Sequence, residues 1–295
     1  MSYIKTGTDS SGNDIKLFYQ DLGGSNASQT IVLIHGWPLS HEMWDYQLAE
    51  LPAHGFRVVA YDRRGFGKSS QTWDGYDYDT LADDLKAVMD TLDLQNVTLV
   101  GFSMGGGEVA RYMGRHGGAR VSKVAFISSV TPYLLKTDDN PDGVDQSVFD
   151  EIMENLQKDR ADFLQSFTKK FYGVGLLDKP VSQAHMDGDF NRAYVASHKA
   201  TVETAKAFAQ TDFRDDLAQI HVPALVIHGD DDQTVPIEAS GERTANALPT
   251  AQYIVYEGAA HGLFMLEKDR LTQDIISFVQ DGVPVRESVG TTIIY

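Results

Sequence analysis

The sequence predicts an α/β protein with a doubly wound, mostly parallel β-sheet. Short apolar runs, typical of strands covered on both faces, alternate with longer amphipathic segments of helical periodicity. Alternating β and α units form such a sheet through right-handed connections. The chain has 295 residues, of which 42% are hydrophobic. This is enough material for the core of one large α/β domain, although the length alone also allows two small domains.

Seven apolar runs are predicted as strands because they are short, rich in branched or aromatic residues, and separated by polar or helical segments. In chain order they cover residues 15–19, 31–34, 58–61, 97–100, 124–128, 224–227 and 253–256.

Two amphipathic helices are predicted between or after these strands. Leu81, Leu85 and Val88 recur at helical spacing, with aspartates on the opposite face. Leu271 and Ile275 begin the same pattern near the end of the chain. Helices of this kind cover the faces of a parallel sheet.

The alternation stops between residues 131 and 221, where a helical lid is predicted to be inserted over the carboxyl edge of the sheet. Its first two helices are indicated by apolar residues that begin at Phe149 and at Phe163, and a third is predicted over residues 191–210. Ordinary packing of these helices on the sheet is the alternative explanation for most of their aromatic residues.

The predicted domain organisation follows from this interruption. Residues 1–130 and 222–281 form the α/β core, residues 131–221 form the lid, and residues 282–295 form a carboxyl-terminal tail. The tail ends in Thr-Thr-Ile-Ile-Tyr, and the sequence does not decide between an added strand and a frayed end.

Composition narrows the class of protein. The net charge of −17 argues against nucleic acids and anionic membrane surfaces as partners, because both would be repelled. No cysteine is present, which excludes disulfides, thiol nucleophiles and thiolate metal sites. Residues 1–12 are polar and lack an apolar signal core, so we expect a cytoplasmic protein. No metal ion or other cofactor is expected, and the oligomeric state stays open, a homo-oligomer included.

The most informative motif is Gly-Phe-Ser-Met-Gly at residues 101–105, which directly follows a predicted strand. A Gly-x-Ser-x-Gly motif between a strand and a helix is typical of the nucleophile elbow, in which a sharp turn exposes the serine hydroxyl. Ser103 is therefore the candidate nucleophile. The alternative is an ordinary serine at the amino-terminal cap of a helix.

A serine nucleophile needs a neighbouring base that is held by a carboxylate. His261 follows the last predicted strand, in a stretch of small residues that lets the loop reach the sheet edge. The strand at 224–227 is followed by three consecutive aspartates at 230–232. The order serine, aspartate, histidine is the one expected of this kind of hydrolase, but the residues alone do not select one aspartate.

Acyl transfer also needs two N–H donors for the oxyanion. One is predicted to be the backbone amide of Met104, directly after the nucleophile. The other is predicted in the loop after the strand at 31–34, where Trp37 retains its N–H and Pro38 has none.

With these motifs in place, the chain closely resembles the α/β-hydrolase superfamily and, within it, the group of cofactor-free haloperoxidases and aryl esterases. The matching stretches lie at residues 35–39, 61–70, 100–112, 140–143, 207–208 with 211–213, 228–236 and 256–262. They are spread over most of the chain, the predicted lid included.

The resemblance implies Ser103 as the nucleophile and His261 as the base. It also selects Asp232, which matches the second aspartate of the family's Gly-Asp-x-Asp-Gln pattern. Trp37 and Met104 match the family's oxyanion residues. The implied activity is hydrolysis of small acyl or aryl esters through an acyl-enzyme, with hydrogen peroxide as an alternative to water.

A small, apolar substrate pocket is predicted beside the nucleophile. Its candidate lining residues are Trp37, Met104, Val130, Phe149, Phe167, Phe171, Val235 and Leu263.

The sequence is also compatible with other functions. The same three residues could open a lactone or lactam or cleave a carbon–carbon bond, and some proteins of this fold bind ligands with little turnover. Rates on an aryl ester, a lactone and a vinylogous diketone separate the enzymatic alternatives, and a ligand sensor would give no steady product.

Overall fold

The computed structural model of the protein describes residues 2–24, 27–281 and 293–294. The strands within these residues are β1 (Ser2–Thr8), β2 (Asp14–Leu22), β3 (Thr30–Ile34), β4 (Arg57–Tyr61), β5 (Val97–Phe102), β6 (Val121–Ile127), β7 (Ala224–Gly229), β8 (Ala251–Tyr256) and β9 (Ile293–Ile294). They form one sheet in the order β1-β2-β4-β3-β5-β6-β7-β8-β9. Strands β3 to β8 pair in parallel, and β1, β2 and β9 pair antiparallel at the two edges. The predicted α/β class and mostly parallel sheet are confirmed.

The helices connect these strands. In the described part of the chain they are α1 (Asp45–Glu50), α2 (Tyr78–Thr91), α3 (Met104–His116), α4 (Gln146–Lys158), α5 (Arg160–Phe171), α6 (Gln183–Val195), α7 (His198–Gln210), α8 (Arg214–Leu217), α9 (Gly241–Ala247), α10 (Leu263–Leu266) and α11 (Lys268–Asp281). Short 3₁₀ helices cover His41–Trp44, Leu51–His54 and Ile237–Ala239.

Two apolar layers enclose the sheet, because successive side chains of a strand point to opposite faces. In β5, Leu99 packs with α2 and α3 on one face, whereas Val100 packs with α1 and α11 on the other. All six residues of β5 are buried. Burial on both faces explains why the central strands are almost wholly apolar in sequence.

Strand β1 was not predicted. It is an antiparallel edge strand in which Ile4 alone is buried, so its sequence is largely polar. At the other edge, Ile293–Ile294 pairs with Tyr253 and Ile254 of β8. The rest of the predicted tail, 282–292 and 295, lies outside the described residues.

Helices α4 to α7 lie between β6 and β7, within the segment predicted to be a lid. The predicted single helix over 191–210 is wrong, because two helices, α6 and α7, meet at Ala196 and Ser197. The Ser197 hydroxyl accepts a hydrogen bond from the N–H of Ala200 and starts α7. The Arg160 guanidinium donates a hydrogen bond of 2.6 Å to the Ala196 carbonyl, which would otherwise lack a helical N–H partner where α6 ends. The boundaries between core and lid stay a prediction.

The parallel strands fix where the site forms. Ile34 at the end of β3 is level with Tyr61 of β4 and Gly101 of β5. Ile127 of β6 is likewise level with Ile227 of β7. The loops that follow these strands therefore meet at the carboxyl edge of the sheet, where open α/β sheets bind their ligands.

Candidate active site

Ser103 lies between the last residue of β5 and the first residue of α3. Its backbone has φ 53° and ψ −118°, a conformation that a non-glycine residue rarely adopts. Two glycines make the turn sterically allowed. A Cβ on Gly101 would lie 2.4 Å from the carbonyl oxygen of Gly105, and one on Gly105 would lie 2.5 Å from that of Ile34. The motif thus produces the sharp strand–turn–helix geometry of a nucleophile elbow.

The structure brings the predicted base to this serine. His261 Nε2 lies 3.0 Å from Ser103 Oγ. Both residues are almost fully buried, with 1% and 5% of their surface exposed. The ring of His261 is held by Phe102 at 4.9 Å and Phe171 at 4.8 Å between centroids. The imidazole is therefore within hydrogen-bonding reach of the hydroxyl and packed against aromatic rings.

Of the three consecutive aspartates, Asp232 is the one that contacts His261. Its Oδ2 lies 2.6 Å from His261 Nδ1. The Asp230 and Asp231 side chains lie elsewhere, because they accept hydrogen bonds from the Gly258 N–H and the Gln233 amide. The geometry thus identifies which of the three aspartates contacts the histidine, a choice that the residues alone left open.

Asp232 is held as a carboxylate. Burial opposes ionisation, but the hydrogen bonds and charges of His261 and His228 outweigh it and keep the pKa of Asp232 well below its usual value. The other oxygen, Oδ1, accepts the N–H groups of Thr234 at 2.9 Å and Val235 at 2.8 Å. An ionised carboxylate requires the neutral imidazole to carry its proton on Nδ1, which leaves Nε2 free to accept the serine proton.

The two predicted oxyanion donors lie next to the serine in sequence or space. Met104 is the first residue of α3, where backbone N–H groups have no helical acceptor. Trp37 follows β3 and lines the same pocket as Ser103. Within residues 2–24 and 27–281, neither backbone N–H donates to a protein acceptor. Both amides are thus available to an oxygen of a ligand.

A pocket opens in front of Ser103 and His261. Its cavity volume is about 40 Å³, which is enough for only a few water molecules. Apart from Ser103, His261 and Thr234, the lining is apolar. The lining residues are Trp37, Ser103, Val130, Leu134, Val144, Val148, Phe149, Ile152, Phe167, Phe208, Thr234, Val235 and His261.

The sequence matches a known family over most of its length. A family model described as the alpha/beta hydrolase fold matches residues 29–268. The chain belongs to the α/β-hydrolase family.

Relatives of this α/β hydrolase include named enzymes. It is 41% identical to a non-heme chloroperoxidase of Kitasatospora aureofaciens over 90% of this chain and 96% of the relative. It is 40% identical to a bifunctional esterase/perhydrolase of Acinetobacter calcoaceticus over 95% and 100% of the two chains. The solved structure of a bromoperoxidase from Bacillus anthracis matches with a TM-score of 0.90 and 43% identity, over 95% of this chain and 99% of that one. The resemblance to the haloperoxidase group is confirmed.

Three of the predicted lining residues do not line the pocket of this α/β hydrolase. The Phe171 ring lies behind His261, edge-on to the imidazole. Leu263 follows the same loop, donates its N–H to the His261 carbonyl and is buried in the core. The side chain of Met104 is buried at the start of α3. Met104 and Leu263 are close in sequence to Ser103 and His261, but this closeness does not expose their side chains to the pocket.

The remaining predicted lining residues, Trp37, Val130, Phe149, Phe167 and Val235, do face the pocket. Sequence reasoning missed Leu134, Val144, Val148, Ile152, Phe208 and Thr234. On α4, Ile152 lies three residues after Phe149 and four after Val148, so helical spacing was the signal that could have found both residues.

A buried ion pair that the sequence did not reveal supports the Trp37 loop. Arg63 Nη2 donates to the His35 carbonyl at 2.7 Å, and the Arg63 N–H donates to His35 Nε2 at 3.0 Å. Arg63 Nε also donates to Glu108 on α3 at 2.5 Å, and Tyr61 donates to the same carboxylate. Burial lowers the pKa of His35 well below its usual value, so the ring is neutral. The network ties the loop after β3 to α3.

Two features are absent from the described residues. Among them, no helix has the length and apolar character needed to cross a membrane. In the same residues, no group of three or more histidine or acidic side chains is arranged to hold a metal ion.

Proposed function

We propose that this α/β hydrolase is a serine carboxylic-ester hydrolase that acts on small acyl and aryl esters through an acyl-enzyme. The observation that carries the proposal is the chain of two contacts, 3.0 Å from Ser103 to His261 and 2.6 Å from His261 to Asp232. A hydroxyl, an imidazole and a buried carboxylate in this order form the arrangement that activates a serine at neutral pH.

In the first half of the reaction, Ser103 Oγ attacks the ester carbonyl and His261 Nε2 takes its proton. Asp232 keeps the proton of the neutral imidazole on Nδ1 and stabilises the imidazolium that forms. The Trp37 and Met104 amides stabilise the oxyanion, and losing one such donor typically costs about 3 kcal/mol of transition-state stabilisation. His261 then gives its proton to the leaving alcohol, and the acyl group stays on Ser103.

In the second half, a nucleophile removes the acyl group. His261 takes a proton from a water molecule, which attacks the acyl carbonyl, and then returns that proton to Ser103 Oγ as the carboxylic acid leaves. Hydrogen peroxide in place of water releases a peracid instead. The peracid transfers its terminal O–H group to a halide ion, which is oxidised to hypohalous acid, and is itself reduced to the carboxylate. None of these steps uses a metal ion or another cofactor.

The names of the relatives support hydrogen peroxide as an alternative nucleophile to water. One is an esterase/perhydrolase and another a non-heme chloroperoxidase, both at least 40% identical to this chain. We propose perhydrolysis as a side activity of the same serine.

The size and polarity of the pocket support small, apolar acyl groups. Its volume is small and most lining residues are aliphatic or aromatic. Trp37 forms one wall, packed edge-on against Phe167 and Phe208 and held by a hydrogen bond from its indole N–H to the Thr201 carbonyl. A wall fixed in this way limits the length of acyl chain that can enter.

The proposal is tested with p-nitrophenyl esters of increasing acyl length and with a lactone, on the wild type and on Ser103→Ala. We expect the highest kcat/KM for the acetate or propionate ester, and no turnover by Ser103→Ala on any substrate. Peracid formation from acetate and hydrogen peroxide should disappear in the same variant. Hydrolysis or peracid formation that survives in Ser103→Ala would place the chemistry at another residue. A wild type that binds these esters without steady product would instead be a ligand sensor.

A further inference from the structure

A second buried imidazole contacts the Asp232 carboxylate. His228 is the fifth residue of β7, and none of its surface is exposed. Its Nε2 lies 3.3 Å from Asp232 Oδ2, the same oxygen that faces His261. The same nitrogen lies 2.9 Å from the carbonyl oxygen of Val235. The elbow serine, the base and the carboxylate are therefore joined by a fourth side chain.

The surroundings of His228 fix where its proton lies. Nε2 faces two acceptors, so it must carry a hydrogen. Nδ1 is buried and has no hydrogen-bond partner among the described residues. A proton on Nδ1 would leave a buried N–H unpaired, which is costly. The geometry thus places the ring proton of His228 on Nε2 rather than on Nδ1.

We propose that His228 is a positioning residue that donates its Nε2–H to Asp232 and so sets the orientation and basicity of the carboxylate that holds His261. This inference rests on the proposed function, because it assigns a role relative to the proposed base. With His228 included, four groups surround the two oxygens of Asp232: Oδ1 accepts the Thr234 and Val235 amides, and Nδ1 of His261 and Nε2 of His228 lie 2.6 Å and 3.3 Å from Oδ2. Rotation of the Asp232 carboxylate would therefore break at least one of these contacts.

The elements around His228 leave Asp232 as its titratable partner. Val255 is level with it on the neighbouring strand β8. Gly241 of α9 lies against the ring so closely that a Cβ there would be 2.5 Å from Nδ1. His261 reaches the same carboxylate from the loop after β8, and Asp230 and Asp231, the remaining charges of the loop after β7, bond elsewhere.

The donor affects catalysis in a direction that can be measured. A hydrogen bond from His228 withdraws negative charge from Oδ2. Without it, the carboxylate stabilises the imidazolium form of His261 more strongly, so His261 stays protonated to higher pH. The acid limb of the kcat/KM profile then moves to higher pH. A residue that only fills space would leave that limb where it is.

Two variants with side chains of similar volume distinguish the role of His228 as a hydrogen-bond donor from its role in filling space. His228→Gln keeps an N–H at the end of the side chain, whereas His228→Met has none. We expect His228→Met to lose about tenfold to a hundredfold in kcat on p-nitrophenyl acetate, as for a lost hydrogen bond to a charged group, with a raised acid limb. His228→Gln should stay within about threefold of the wild type. His221→Met, an exposed histidine just before β7, is the matched control. Equal losses in the Met and Gln variants with unmoved acid limbs would overturn the proposal.

Nuclear magnetic resonance of ¹⁵N-histidine-labelled protein tests the proposal without any turnover. In the wild type, the His228 ring should carry hydrogen on Nε2, and a ring with hydrogen on Nδ1 alone would overturn the proposal even if no variant folds. In His228→Met, the His261 signals should titrate at higher pH than in the wild type, and an unchanged titration would contradict it. Because neither readout depends on ester hydrolysis, failure of the proposed function would appear separately, as an inactive wild type.

Discussion

Nδ1 of His261 lies 2.6 Å from Oδ2 of Asp232, and both side chains are buried. This contact distinguishes Asp232 from its two exposed neighbours and orients the imidazole toward Ser103. The distinction arises from the backbone, since the Thr234 and Val235 amides turn the Asp232 carboxylate inward.

We expect Asp232→Asn to lower kcat on p-nitrophenyl acetate by about 10⁴-fold, because an amide favours the wrong imidazole tautomer. Asp230→Asn and Asp231→Asn are matched controls, since they make the same chemical change in adjacent residues. Each should lose less than about tenfold, because neither contacts His261. A larger loss in either control than in Asp232→Asn would assign the carboxylate role to that neighbour.

Asp232 also makes stability depend on pH. Its native pKa is below the unfolded value of 3.8, so its contribution to stability is fully present above that value and is lost as the pH falls through the native pKa. The asparagine in Asp232→Asn cannot ionise. As the pH falls below 3.8, the Tm of the wild type should therefore fall relative to the Tm of Asp232→Asn. Thermal unfolding followed by circular dichroism between pH 5 and pH 2.5 measures this. A difference that moves in favour of the wild type on acidification would be inconsistent with an ionised native Asp232.

The Arg63–Glu108 pair should be costly to break. Both side chains are buried. Burial raises the pKa of Glu108, although the positive charge of Arg63 acts in the opposite direction. Arg63→Met leaves that carboxyl without its cationic partner, and we expect a loss of about 3–5 kcal/mol in the free energy of unfolding. The double variant Arg63→Met/Glu108→Leu should be more stable than Arg63→Met alone. Urea titrations compare the three proteins, and a double variant less stable than the single one would refute the argument.

Phe149 on α4 should limit acyl length, because its ring lines the pocket. Shortening it to leucine enlarges the pocket, so the ratio of kcat/KM for the hexanoate ester to that for the acetate ester should rise about tenfold, the scale of one methylene group in an apolar pocket. Phe190→Leu is the matched control, since Phe190 stacks on Tyr194 of α6 outside the pocket lining. An equal rise in both variants would show that the effect does not arise from the pocket.

Much of the fold was predictable from local pattern. All seven predicted strands are present, because strands buried on both faces are apolar throughout and stand out in the sequence. Edge strand β1 has one buried residue, Ile4, and gave no comparable signal. The break between α6 and α7 depends on a cap by Ser197 and a distant arginine, Arg160. The Ser197 cap is local, but the contact from Arg160 spans 36 residues and leaves no periodic pattern in the sequence.

The site was predictable only in part, and for related reasons. Ser103 is marked by glycines that the turn requires, and His261 by its place after the last parallel strand. Asp232 needed the family resemblance, because three adjacent aspartates have the same local chemistry. The role of His228 and the Arg63–Glu108 pair could not be predicted, since each depends on which side chains the sheet and its loops bring together.

The most direct test of the account is the mass of the protein during turnover. A rapid quench of the wild type with p-nitrophenyl acetate should show a burst of p-nitrophenol and an added mass of one acetyl group, about 42 Da, the acyl-enzyme expected of a serine nucleophile. Peptide mapping should place that group on Ser103, and Ser103→Ala should show neither the burst nor the added mass. An acetyl group on any other residue, in an enzyme that turns over at full rate, would contradict the central claim.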